Sequence, residues 1–121
     1  MRLRKSFVLV ITLLACNGCG KTKSTDELIA DLKGADERER ITAVRLLPQK
    51  KGDAAKVVPA LIDALKDKDA DVRRSAAIGL GSFGEQARDA VAALEAAQKN
   101  DRDARVRESA GIAVSRIQQK N

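Results

Sequence analysis

Aromatic and imidazole side chains are almost missing from this sequence. It contains no histidine, no tryptophan and no tyrosine, and only two phenylalanines among 121 residues. Histidine is the most common general base in enzymes, and aromatic rings provide the stacking surfaces that bind single-stranded nucleic acids. The composition therefore weighs against most enzyme mechanisms and against nucleic-acid binding by base stacking. Because a zinc or di-iron site would have no plausible ligands without histidine, we also expect no metal and no cofactor.

The formal net charge of the chain is +6, but most of the chain carries no excess of positive charge. Arg2, Arg4 and Lys5 lie near the N-terminus, in a stretch without acidic residues. From Ser24 to Asn121 there are 18 Lys and Arg against 17 Asp and Glu, which leaves +1. A nearly neutral body lacks the basic surface that is typical of proteins that bind DNA or RNA. We therefore expect no nucleic-acid partner.

No apolar run in the sequence reaches the roughly 20 residues that a membrane-spanning helix needs. The longest run, residues 7–15, follows the basic residues and ends before Cys16. A basic segment followed by about ten apolar residues is typical of a secretory signal peptide. The alternative, a buried core strand or helix, has less support because the segment has nothing of its own to pack against. The prediction is a signal peptide over 1–15.

The Leu-Leu-Ala-Cys sequence at 13–16 resembles the lipobox of bacterial lipoproteins. The resemblance implies that the Cys16 thiol receives diacylglycerol, that the signal peptide is cleaved before it, and that the new N-terminus is acylated, for example with palmitate. Two or more acyl chains hold a protein stably at a membrane. Cys19 is a competing site with less suitable preceding residues. Because a thioether sulfur cannot form a disulfide, lipidation of Cys16 weighs against a redox or zinc role for the two cysteines.

Residues 16–24 are polar and include two glycines and two lysines, which is typical of a flexible tether. Lys21 and Lys23 are either attracted to anionic lipid head groups or simply solvated. In the lipoprotein family an Asn after the lipidated cysteine favours the outer membrane, and Asn17 stands at that position here. We expect residues 25–121 to form one domain of the bacterial cell envelope, facing the periplasm or the exterior.

From residue 25 onward the sequence repeats at a spacing of 33 or 34 residues. Leu28, Leu61 and Leu94, for example, share one position of the repeat. Within each unit, apolar residues recur at intervals of three and four, which predicts two helices and no strands. Such a period predicts an all-α solenoid of about three stacked helical hairpins. The expected helices lie near 25–33, 37–47, 54–66, 70–81, 85–98 and 104–119.

Residue types that are typical of helix starts and stops lie at these boundaries. The predicted N-caps are Ser24, in a capping box with Glu27, and Asp53, Asp69 and Asp103. The predicted helix stops are Pro48, Gly81 and Gly84. Pro59 lies about one turn inside the third helix, so it either kinks that helix or marks its true start.

The stretch 69–84, DADVRRSAAIGLGSFG, resembles the second helix of a HEAT-like repeat, the variety also found in phycobilisome lyases. It has the family's Asp-x-x-Val-Arg start and its Ala-Ala middle. Residues 58–65, VPALIDAL, are similar to the first helix of that repeat, in which a proline is often tolerated. The resemblance covers residues 25–119. It implies an array of helical hairpins that usually binds partners on the concave face lined by the second helices.

An aspartate and an arginine four residues apart recur at the start of each second helix. The pairs are Asp36 with Arg40, Asp69 with Arg73, and Asp103 with Arg107. The aspartate can accept hydrogen bonds from free backbone N–H groups, and the arginine can pair with it or with the neighbouring unit's aspartate. The family resemblance implies that these positions form a structural ladder between repeats. We expect no catalytic residue among them, because the carboxylates lie on separate turns and do not face each other across a cleft.

The periodicity also predicts which residues of the second helices lie off the core. They mix isoleucines with charged residues, which suits a protein-binding surface with apolar anchors inside a polar rim. Ordinary solvated helix faces are the alternative interpretation. The predicted interaction face consists of Ile41, Arg45, Arg74, Ile78, Glu108 and Ile112.

These observations favour a lipid-anchored, non-catalytic scaffold whose repeats bind an unidentified envelope protein. The alternative is an accessory subunit or a lyase-like enzyme component, by resemblance to HEAT-like lyases. A lyase that handles a chromophore would call for a larger array and for aromatic pocket residues, and the sequence provides neither.

Overall fold

The computed structural model describes residues 21–119, and these residues form α-helices joined by short turns and 3₁₀ segments. In chain order the helices are α1 (Thr25–Leu32), α2 (Glu37–Leu46), α3 (Ala54–Ala64), α4 (Ala70–Ser82), α5 (Val91–Asn100) and α6 (Ala104–Gln118). All of them except α5 begin at the residue that the sequence predicts. The signal peptide predicted at 1–15 and the lipidation site predicted at Cys16 lie outside the described residues.

The helices pair into three hairpins that stack on one another, which confirms the predicted all-α solenoid. The hairpins are α1 with α2, α3 with α4, and α5 with α6. The second helices form one layer, in which α4 packs between α2 and α6. In the other layer α3 packs against α1 and against the 3₁₀ segment Gly84–Ala90 that leads into α5. Each unit therefore contacts only its neighbours, as is typical of a solenoid.

The core repeats with the sequence. Leu28, Leu61 and Leu94 occupy the same position of the first helices, and each is at most 1% exposed. The matching position of the second helices is a fully buried alanine, at Ala43 and Ala76 among others. Small residues at that position let neighbouring helices pack closely. The buried leucines of the first helices and the buried alanines of the second helices therefore recur with the period of the sequence, within a core that also contains valine, isoleucine and phenylalanine.

The N-caps of the second helices lie where the sequence predicts them. Asp36, Asp69 and Asp103 each accept hydrogen bonds through Oδ1 from two backbone N–H groups of the following turn. Ser24 and Glu27 form the predicted capping box of α1. Asp53 occupies the predicted N-cap position of α3, but its side chain makes no cap hydrogen bond. Its carboxylate instead accepts a hydrogen bond from the Thr25 hydroxyl.

One of the predicted helix stops, Gly81, does not end its helix, and the position of Pro59 is resolved. α4 continues through Gly81, where a Cβ would lie 3.1 Å from the Cα of Ala113 in α6. Gly81 therefore allows α4 and α6 to approach, and the chain turns at Gly84, which has a φ of 57°. Pro59 lies inside α3 and does not mark its start, whereas α2 ends before Pro48 as predicted.

The helix predicted at 85–98 also needs correction. The segment Gly84–Ala90 is 3₁₀, with non-helical dihedral angles at Ala87, and α5 begins only at Val91. Ala87 and Ala90 of this segment are both fully buried. The segment packs against helices of the second and third hairpins, so both alanines belong to the core at the junction of these hairpins.

The cap at Asp69 provides a direct stability test. Because Asp69 satisfies the N–H groups of Asp71 and Val72, we expect Asp69→Ala to lower the free energy of unfolding by about 1 kcal/mol. Asp69→Asn should retain most of the stability, since Asn caps helices about as well as Asp. Urea unfolding followed by circular dichroism measures both variants. An equal loss in the two would assign the effect to the charge and contradict the role of Asp69 as a cap.

Candidate functional site

The second helices expose a surface with two neighbouring open clefts, which we call the groove. One cleft, of about 400 Å³, lies between α2 and α4, and the other, of about 310 Å³, lies between α4 and α6. Arg74 and Ile78 of α4 line both clefts, so they form a ridge between them. The volumes lie at the lower end of the range for small-molecule pockets. Clefts of this size suit the side chains of a partner better than a large ligand.

Most of the predicted interaction face lines this groove. Arg45, Arg74 and Ile78 line the first cleft, and Arg74 and Ile78 line the second together with Glu108 and Ile112. Ile41 lines neither cleft. Its side chain is half-buried against the core. An apolar residue at the margin of a helix face gains more from packing inward than from remaining in water.

The two exposed isoleucines are equivalent residues of successive units. Ile78 is 46% exposed and Ile112 is 49% exposed. Single exposed apolar residues are normal on a protein surface. Here, however, the two lie on adjacent helices and share one cleft. The equivalent residue of the first unit is Arg45. This repeat position is therefore apolar on α4 and α6 and charged on α2.

The groove concentrates positive charge that the body as a whole does not have. Its charged lining residues are Arg45, Arg74, Arg105, Arg116 and Glu108, a balance of four to one. Arg105 is partly neutralised, with Nη2 3.4 Å from Asp103 Oδ2 and 3.8 Å from Asp71 Oδ1. Between residues 21 and 119, no ion pair reaches any of the other three arginines.

Sequence reasoning missed two of the arginines that line the groove, although the sequence carries a signal for both. Arg105 lies three residues before Glu108, and Arg116 lies four residues after Ile112. Residues at these spacings share one face of a helix. Extending the predicted face by one turn in each direction along α6 would have included them.

A second recurring feature, the ladder of buried arginines, lies between the units and away from the groove. Arg40 and Arg73 are only 4% and 5% exposed. Arg73 Nε lies 2.9 Å from Asp101 Oδ2 and its Nη2 3.1 Å from Oδ1, which makes a bidentate pair. Arg40 Nε lies 3.1 Å from Asp67 Oδ2. Each arginine thus links its own unit to the turn of the next one.

The predicted ladder partners need correction, because the carboxylates that pair are Asp67 and Asp101 and not those of the caps. The Oδ1 atoms of Asp69 and Asp103 are already used by the first turns of α4 and α6. Hydrogen bonding by the Val72 N–H lowers the pKa of Asp69. The repeat gives only a weak sequence signal for this ladder, because Gly34 occupies in the first unit the position that Asp67 and Asp101 occupy in the others.

The arginines also organise the turns inside their own units. Arg73 Nη1 donates to the carbonyl oxygens of Asp67 and Lys68, at 2.9 and 3.2 Å. Arg107 Nη1 donates to the carbonyl oxygen of Asp101 at 2.7 Å, and no acidic side chain of residues 21–119 pairs with it. Burial alone would raise the pKa of Asp101, but hydrogen bonds from Arg73 and from the Asp103 N–H outweigh it and lower this pKa. These residues hold the array together.

Residues 21–119 contain no group of three or more acidic or cysteine side chains placed to hold a metal ion. Over the same residues, no helix combines the length and the apolar character that crossing a bilayer requires.

Comparison with known proteins identifies the family of this fold. The family model for HEAT repeats matches residues 25–115, and the chain belongs to the HEAT-repeat family. No curated protein matches the sequence.

A similar chain occurs in the solved structure of the complex of CpcE and CpcF of phycocyanin lyase from Nostoc sp. PCC7120. The two chains are 29% identical and superpose with a TM-score of 0.71. The match covers 82% of this chain and 39% of that chain. This protein therefore spans well under half of the length of the lyase subunit that it resembles.

Proposed function

We propose that this protein is a non-catalytic interaction scaffold that a lipid on Cys16 tethers to the bacterial envelope and that binds another protein in the groove. The observation that carries the binding role is the pair of exposed isoleucines, Ile78 and Ile112. They lie in a groove that is also lined by Arg45, Arg74 and Arg116, which have no acidic partner within residues 21–119. Apolar anchors inside a charged rim are typical of protein-binding surfaces. The support for the lipid anchor comes from the residues 1–16 of the sequence alone.

The comparison with CpcE and CpcF agrees with a binding role, because the similar chain was solved within a complex. The same comparison favours one other function, an accessory role in a lyase. Against catalysis by this chain, the groove is lined by arginine, serine, glutamate, proline, glycine and aliphatic side chains. None of the lining residues is a cysteine or a histidine, and none is aromatic. A lyase-related role would therefore depend on a second subunit that supplies the reacting groups.

Membrane fractionation of a bacterial host that expresses the full chain tests the anchor. Cys16→Ser should move the protein out of the membrane fraction or leave it unprocessed, and it should abolish palmitate labelling. Cys19→Ser is the matched control, and it should behave like the wild type. Labelling that survives in Cys16→Ser and is lost in Cys19→Ser would move the lipid to Cys19. Absence of palmitate labelling from the wild-type protein would contradict the lipoprotein assignment.

Site-specific photo-crosslinking in intact cells tests the groove. A photoreactive residue at Ile78 should form a crosslink with one defined protein, identified by mass spectrometry. The same residue at Gln86, which is exposed in the turn before α5, is the control. A bound chromophore in the purified protein, without a crosslink at Ile78, would favour the lyase-related function instead.

A further inference from the structure

We propose that the groove takes an acidic amphipathic helix of its partner, with two large apolar residues about seven positions apart. This inference rests on the proposed function and specifies the chemistry of the partner. It is carried by the charge of the groove, by the repeat position of the two isoleucines and by the spacing of the helices that present them.

The charge of the groove selects the sign of the partner. Arg45, Arg74 and Arg116 have no acidic partner within residues 21–119, and Glu108 is the one acid that lines the groove. Complementary charge steers association and disfavours partners of like charge. A basic segment would meet three uncompensated arginines. A segment with Asp or Glu on its flanks would pair with them.

The same charge argues against the N-terminal segment of this chain as the occupant. Residues 1–15 carry Arg2, Arg4 and Lys5 and no acidic residue. Their apolar run could fill the clefts, but its flanks are basic and would be repelled. Nucleic acid is also disfavoured, because the exposed Ile78 and Ile112 give the groove an apolar centre that a phosphate backbone cannot use. The charge and the apolar centre together favour a protein segment.

The general spacing of packed helices favours a helix over an extended segment. The two clefts lie on either side of α4, and neighbouring packed helices are separated by about 8–10 Å. Residues seven apart on a helix lie on one face and are separated by about 10.5 Å along its axis. On a strand, residues on the same side are separated by about 6.6 Å or about 13 Å. A helix that crosses α4 can therefore place one anchor in each cleft.

A selection from three displayed peptide libraries tests this proposal. All three contain 21-residue peptides of helix-forming sequence with two leucines seven positions apart. The other exposed positions are rich in Glu in the first library, in Lys in the second and in Gln in the third. The bait is the full chain, purified in mild detergent. We expect enrichment from the Glu library, and binders whose affinity falls at least about tenfold when the leucine spacing changes from seven to five.

Variants of the chain then locate the binding site. By fluorescence anisotropy, Ile78→Ala and Arg74→Glu should each raise the Kd of a selected acidic peptide by about tenfold or more. Leu46→Ala and Arg38→Glu are matched controls, because both residues are exposed on α2 and line neither cleft. They should leave the Kd unchanged. Circular dichroism confirms that each variant is folded.

The outcomes separate this inference from the proposed function. Binders from the Lys or Gln library that Ile78→Ala weakens would overturn the acidic partner and keep the groove as a binding site. Acidic binders that neither Ile78→Ala nor Arg74→Glu weakens would overturn both. Acidic binders insensitive to the leucine spacing would overturn the helical geometry.

Discussion

Arg73→Ala is expected to lower the free energy of unfolding by about 3–5 kcal/mol, the range for removing one partner of a buried ion pair. The side chains of Arg73 and Asp101 are only 6% and 8% exposed. Without the guanidinium, the Asp101 carboxylate stays buried with only the Asp103 N–H as a donor. The variant also loses the hydrogen bonds to the carbonyl oxygens of Asp67 and Lys68. Urea unfolding followed at 222 nm by circular dichroism measures the effect.

Arg107→Ala is the matched control for this prediction. Arg107 holds the same repeat position, but its side chain makes one hydrogen bond within residues 21–119, to the Asp101 carbonyl oxygen, and no ion pair there. Arg107→Ala should therefore lower the free energy of unfolding clearly less than Arg73→Ala does. A double-mutant cycle of Arg73→Ala with Asp101→Ala isolates the pairwise interaction. A coupling energy near zero would show that the pair contributes nothing beyond the packing of its two side chains.

The pH dependence of stability gives an independent measure of the same pair. The folded pKa of Asp101 is lowered, so its contribution is fully present above the unfolded pKa of about 3.9 and is lost as the pH falls through the folded value. We expect stability to decline below about pH 4, and to decline less steeply in Asp101→Asn. Between about pH 5 and pH 8 the curve should be flat, since the chain contains no histidine.

The features that the sequence predicted are those that depend on neighbouring residues. The aspartates at 36, 69 and 103 are recognisable as caps because a helix start is a local event, and the buried leucines follow from the period. The pairing of Arg73 with Asp101 joins residues 28 apart. Local spacing offers nearer candidates for that arginine. The close approach at Gly81 likewise depends on α6, which the sequence of α4 does not describe.

The lining of the groove was predicted only in part. Helical periodicity gives the direction of each side chain around its own axis, and that was enough to predict Ile78, Ile112 and Arg74 on one surface. It does not give the position of the next helix. Ile41 was therefore predicted to lie off the core, whereas its half-buried side chain packs against the core. Helical periodicity therefore predicted the centre of the interaction face but not which residues lie at its edges.

The second large effect is expected at Phe83, which stands at the junction of the second and third hairpins. Its side chain is 6% exposed, and it is the one aromatic residue between positions 21 and 119. Lys51 Nζ lies 4.1 Å from the ring centroid and donates to the Ser82 carbonyl oxygen at 2.9 Å. Burial lowers the pKa of Lys51. The ring therefore supports both the core and a lysine that caps the end of α4.

Phe83→Ala should lower the free energy of unfolding by about 3–5 kcal/mol, because it removes a buried ring and leaves a cavity. Phe83→Leu should cost less than about 1.5 kcal/mol, since it keeps most of the buried volume. Lys51→Ala should cost about 0.5–1 kcal/mol, as expected for an exposed cation–π contact. Circular dichroism is the suitable probe, because the chain has no tryptophan or tyrosine to report by fluorescence. An unchanged urea midpoint in Phe83→Ala would exclude Phe83 from the core.

The slope of the same unfolding curves tests how the repeats depend on one another. In a solenoid, stability is a sum over units and the interfaces between them. Phe83 lies where α4 passes into the segment that leads to the third hairpin. Removing its ring should therefore weaken the interface between the second and third hairpins more than it weakens either hairpin by itself. We expect a smaller m-value in Phe83→Ala than in Asp69→Ala, because the third hairpin would unfold before the rest. Equal m-values would mean that the three hairpins still unfold together and that the interface does not depend on this one ring.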